Sequence, residues 1–62
     1  MKLKIGSCYK IIINVNRLLT YEATILSEDD NFITFKDKFN NEYNYNKNVI
    51  VSVVEVNGGF KE

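Results

Sequence analysis

Residues 20–36 of this 62-residue chain read TYEATILSEDDNFITFK. Tyr21, Ala23 and Ile25 fall on one side of an extended segment, with Glu22 and Thr24 on the other. Beyond an acidic, amide-rich tip, Glu28-Asp29-Asp30-Asn31, the residues Ile33 and Phe35 resume the alternation against Thr34 and Lys36. Apolar side chains at every second position on both sides of a polar turn mark a β-hairpin with one face buried. The pattern predicts the central hairpin of an all-β fold.

Working outward, the same reading extends to the rest of the chain. Residues 1–6 are short and basic, a poorly ordered end or a brief lead-in, and Gly6-Ser7 punctuates before a β-branched run over residues 8–15. There Tyr9, Ile11, Ile13 and Val15 share one face, while Ile12 sits among polar residues on the other, as in a strand covered on both sides or facing a second subunit. Asn16-Arg17 turns the chain toward a strand over 19–27, which the tip connects to a strand over 32–36. Lys36 to Asn41 is a polar turn with adjacent asparagines, followed by a short strand at 42–45 with Tyr43 and Tyr45 on one face. A single 3₁₀ turn is allowed at Asn46–Asn48. Residues 49–56 are the strongest strand, Asn57-Gly58-Gly59 ends it, and Phe60-Lys61-Glu62 is a tail. Five strands over about 8–15, 19–27, 32–36, 42–45 and 49–56 form one domain, residues 1–62. They are expected to close into a five-stranded small barrel, since an open sheet of this size leaves much apolar surface wet.

Composition narrows the function classes. A chain this short hides only about 60% of the surface its unfolded form exposes, so tight packing or self-association has to stabilise it. Cys8 is the one cysteine and histidine is absent, which leaves no disulfide within the chain and no zinc site. Ile5-Gly6-Ser7-Cys8 has the look of a lipoprotein cleavage box but lacks the apolar run that must precede one. The longest strongly apolar run is Ile11-Ile12-Ile13, so no transmembrane helix is expected, and a cytoplasmic location follows. Net charge is zero, which argues against affinity built on blanket phosphate neutralisation. The charges are nonetheless segregated: Lys2, Lys4, Lys10 and Arg17 stand in the first third, Glu22, Glu28, Asp29 and Asp30 in the hairpin. No Gly-rich phosphate loop and no nucleophile beside a base is present, so a non-enzyme without cofactors is expected.

Ile13-Asn14-Val15-Asn16 with Tyr21-Glu22-Ala23-Thr24-Ile25, then Ser27-Glu28-Asp29-Asp30-Asn31-Phe32-Ile33, then Tyr45-Asn46-Lys47-Asn48-Val49-Ile50-Val51-Ser52-Val53, resemble three stretches of the Sm-like family. Within it they are most similar to the bacterial Hfq proteins. The resemblance runs over residues 13–54 and implies a small barrel of the SH3-like, Sm-like class that binds RNA as a ring. In that family bases stack on an aromatic after the acidic turn and meet a Lys-His pair in the tight turn before the last strand. Residue by residue, this picks out Phe32 for stacking, Asn31 or Asp30 for base edges and Lys47 for phosphate, with Asn48 where the family has histidine and Tyr45 just before. The chain departs from the pattern in that histidine, in the missing N-terminal helix, and in Ala23 where a glycine is expected.

Two readings stand for the aromatics: Phe32, Phe39, Tyr43 and Tyr45 form a stacking platform for single-stranded nucleic acid, or Phe32 is core and the two tyrosines pack across strands. The acidic tip reads as a solvated turn, its three adjacent acids lacking the spacing of a calcium loop. The leading expectation is an Sm-like binding module for RNA or another single-stranded nucleic acid, with possible homo-oligomers through a strand edge. The alternative is a protein-binding barrel, such as a small adaptor or an inhibitor encoded by a phage or plasmid.

Overall fold

The computed structural model describes residues 2–56. It contains five strands, β1 (Cys8–Asn14), β2 (Leu18–Glu28), β3 (Phe32–Lys36), β4 (Glu42–Asn46) and β5 (Ile50–Glu55), with one 3₁₀ turn at Lys47–Val49. All neighbours are antiparallel in the order β4-β3-β2-β1-β5. The all-β class and the five strands agree with the sequence reading to within a residue or two at each end. The glycine pair and tail after Val56 lie outside the described residues.

β2 is shared between two half-sheets. Its first part, Leu18 to Thr24, pairs with β1, and its last part, Thr24 to Glu28, pairs with β3. A bulge between Ile25 and Ser27 separates the two parts, and such an extra residue bends a strand and tightens its twist. The bend is required by the connectivity. β4 and β5 are the two edges of the sheet, yet only the 3₁₀ turn joins them. Flat, those edges would lie about 19 Å apart at the usual strand spacing, whereas three residues of 3₁₀ helix rise only about 6 Å. The sheet therefore curls until its edges approach.

It does not close. No ladder joins β4 to β5 among the described residues, so the expected closed barrel is instead one strongly curled, open sheet. The apolar surface that closure would hide is covered by a different device. Leu3 is buried with the core, and the lead-in is fastened by Gly6 N–H to Ile25 C=O (2.8 Å) and Ile25 N–H to Ser7 C=O (3.1 Å). Gly6 takes a left-handed φ of 85° at this join, where a side chain would be strained. Residues 2–7 are thus an ordered flap and more than a lead-in.

The core is the set the alternation picks out: Tyr9, Ile11 and Ile13 from β1, Ala23 and Ile25 from β2, Ile33 and Phe35 from β3. Ile11, Ile13, Ile25, Ile33 and Phe35 are fully buried, each worth about 1.5–3 kcal/mol over an exposed position. Tyr21, Tyr43, Tyr45, Val49, Ile50 and Val53 pack around them, half-buried. Val15 parts from its predicted face and is exposed, because the chain turns at Asn16, whose φ is 71°.

Candidate functional site

The bulge in β2 has a chemical consequence. Uninterrupted alternation from Ile25 would point Glu28 away from the core. With one residue inserted, Ser27 lies opposite Thr34 and Glu28 opposite Ile33, a core residue, so Glu28 is turned to the inner face. Its side chain is only 9% exposed. The N–H of Leu3 donates to Glu28 Oε1 (2.7 Å), and Lys47 Nζ lies 2.6 Å from Oε2. The Lys47 ammonium and then the Leu3 N–H hold the Glu28 carboxyl below its ordinary pKa, against the opposing effect of burial. One carboxylate ties together the flap, the end of β2 and the 3₁₀ turn.

On this base sits the β2–β3 turn. Asp29 Oδ1 accepts the N–H groups of Asn31 (2.9 Å) and Phe32 (2.7 Å), which depress the Asp29 pKa in that order. The N–H of Lys47 donates to Asn31 C=O (2.8 Å), locking the turn to the 3₁₀ segment. Asn46 caps that segment, its side chain accepting the N–H of Asn48 (3.0 Å). Phe32 is 43% exposed and lies opposite Asn46 across the β3–β4 ladder. Asn31, Asn46 and Asn48 are all exposed around it.

The structure thus brings together Asn31, Phe32, Lys47 and Asn48. It places Tyr45 elsewhere. Tyr45 lies opposite Ile33 and so faces the core side, whereas Phe32 faces out. Its hydroxyl shares a 2.7 Å hydrogen bond with the Tyr21 hydroxyl, and its ring stacks on Tyr43 at 6.4 Å and 12°. Burial first, then the bond to Tyr45, pushes the Tyr21 hydroxyl up to about 12. The tyrosines are therefore cross-strand packing residues, and Phe32 is a surface residue. Of the four aromatics singled out in the sequence, Phe32 and Phe39 are exposed and Tyr43 and Tyr45 pack against the core. Lys47, picked out for phosphate, spends its charge on Glu28, a partner that period-2 reading places on the wrong face.

A shallow pocket of about 120 Å³ at the base of the β2–β3 turn is lined by Lys2, Glu28, Asp29, Asp30 and Lys47. At the opposite turn an open groove of about 390 Å³ runs between Thr20, Tyr21 and Glu22 of β2 and Asp37, Lys38 and Phe39. Phe39 is 73% exposed there, with Lys38 Nζ 5.5 Å from its ring centroid and 3.6 Å from Glu22. No group of side chains among the described residues could hold a metal ion, and none of their helices is long and apolar enough to cross a membrane. The chain matches no protein-family model, no curated protein and no solved structure.

Proposed function

We propose that this chain is a non-enzymatic binding module that takes single-stranded nucleic acid, RNA foremost, on the face around Phe32, by base stacking of the kind the Sm-like resemblance implies. The observation that carries the reading is an aromatic ring held out to solvent by a turn that is rigid beneath it. Asp29 fixes the backbone at Phe32, and the Lys47–Asn31 bond fixes the turn. A ring so held stacks on a base with little ordering cost, worth about 1–3 kcal/mol per base. Asn31, Asn46 and Asn48 supply donors and acceptors for base edges. Lys47 contributes to phosphate only as part of its pair with Glu28, so binding is expected to depend weakly on salt. A cytoplasmic setting fits the single thiol of Cys8.

Titration of a fluorescent single-stranded RNA, read by anisotropy at two salt concentrations, tests this. Saturable binding that Phe32→Ala weakens at least tenfold, with the fold intact, supports the reading. Absence of binding to the folded chain sinks it. A protein partner is the second reading, favoured by the pocket at the base of the β2–β3 turn, where three acids outnumber two lysines and would repel phosphate.

A further inference from the structure

The two edges of the sheet are guarded unequally. β4 turns Glu42, Asn44 and Asn46 outward, all exposed and polar. An edge with exposed apolar side chains takes a foreign strand more readily than a wholly polar one. Neither edge carries lysine, arginine or proline and each has a single charge, Glu42 in β4 and Glu55 in β5, but β5 (IVSVVE) also exposes the apolar Val51 and Val54. Its bulge lies between Ile50 and Ser52, leaving Ser52 to Glu55 in regular register with β1. Val54 is 56% exposed in the middle of that regular stretch.

The backbone of this edge can be assigned. The N–H of Val56 donates to Cys8 C=O (3.0 Å), and Lys10 and Ile12 pair with Val54 and Ser52. Hydrogen-bonding positions alternate along an antiparallel strand. Ser52, Val54 and Val56 therefore direct their amides to β1, and Val53 and Glu55 direct theirs outward, where no strand meets them among the described residues.

We propose that a second copy of this chain pairs with this edge, antiparallel, about a two-fold axis through Val54. Val53 of one copy then lies opposite Glu55 of the other, and the outward N–H and C=O groups of both residues are used on both strands. Val54 meets its own counterpart in the non-hydrogen-bonded position, where facing side chains come closest. The edge is self-complementary in register, and charge permits this occupant and favours this direction. Glu55 already has Lys4 within its own chain (3.4 Å), and the two-fold puts the two carboxylates on opposite sides of the axis, whereas a parallel pair would set them face to face. The contact is isologous, so it closes at a dimer and forms no ring. It adds burial to a chain too short to bury much alone, and it leaves the Phe32 face open.

Sedimentation equilibrium of the full chain without nucleic acid reads the assembly, so its outcome is separate from that of RNA binding. A dimer that becomes monomeric in Val54→Lys with unchanged circular dichroism supports the proposal. In a Cys8→Ser background, Val54→Cys should join into a disulfide dimer under mild oxidation, because Cα atoms of such a pair sit about 4.5 Å apart; Phe39→Cys should not. A chain monomeric throughout, an assembly larger than two, a dimer that survives Val54→Lys, or no preferential cross-link at Val54→Cys overturns it.

Discussion

The β2–β3 and β3–β4 turns use the same device with different foundations. In each an aspartate bends back to accept backbone N–H groups, Asp29 from Asn31 and Phe32, Asp37 from Phe39 and Asn41. Each turn also presents a phenylalanine to solvent, Phe32 and Phe39. The first is pinned from below by Glu28, Lys47 and Leu3 and from the side by the 3₁₀ segment. The second rests on its own strand pair, through the Tyr43 hydroxyl donating to Asp37 Oδ2 (3.0 Å), and reaches β2 through the exposed Lys38–Glu22 pair. An Asx-type turn by itself shapes a loop. A buried ionic tie beneath it is what fixes the loop to the body of the molecule, and only the Phe32 turn has one.

The sharpest way to break that contrast is Glu28→Ala. It leaves the Lys47 ammonium in a largely covered position without its carboxylate, and about 3 kcal/mol of stability should be lost. Urea unfolding checks this, and a loss no larger than that of Asp37→Ala would mean the two turns are equally founded. Next is Phe32→Ala, expected to weaken RNA binding about tenfold or more while shifting the urea midpoint little. Phe39→Ala should leave both readings nearly unchanged, and comparable losses of binding in the two variants would move the site to the groove at Phe39.

Acid titration sharpens the comparison further. Glu28 and Asp29 are depressed by the contacts described, and Asp37 is too. Burial pushes the Asp37 carboxyl up, but donors from Asn41, Tyr43 and Phe39 together outweigh it. Below their ordinary values the unfolded chain binds more protons than the folded one, so stability rises with pH there. The contribution is complete above the ordinary carboxylate range and is lost as pH falls through the depressed folded values. Denaturant midpoints across that range should show the slope, and Glu28→Ala should flatten it more than Asp29→Ala does. The smallest effect is at the alkaline end. Tyr21, raised from 10.0 to about 12, favours the fold fully below pH 10.0, and that contribution fades as pH rises through about 12. Tyr21→Phe should remove this alkaline loss in a tyrosinate absorbance titration.

Much of this molecule was legible in one dimension. Ile11, Ile13, Ala23, Ile25, Ile33 and Phe35 sit in the core because their spacing of two puts them on one side of their strands, and that spacing is a local property of the chain. The 3₁₀ turn beside Asn48 and the asparagine-bearing turns at Asn16 and Asn40, both with positive φ, belong to the same class of local signal. Asn31 and Lys47 meet through one backbone bond, and Phe32 follows Asn31 in the same turn.

The tertiary structure decided the rest. The bulge after Ile25 is a relation between two strands, set by their register, and nothing in the order of the residues marks it. It turned Glu28 from a member of an acidic tip into the inward partner of Lys47, and it bent β2 so that one strand serves two half-sheets. The flap at residues 2–7 likewise earns its place only through a buried leucine and bonds to residues far along the chain. Alternation settles which side of a strand a residue takes. Which neighbour it meets there, and whether the sheet closes, depends on contacts between residues distant in sequence.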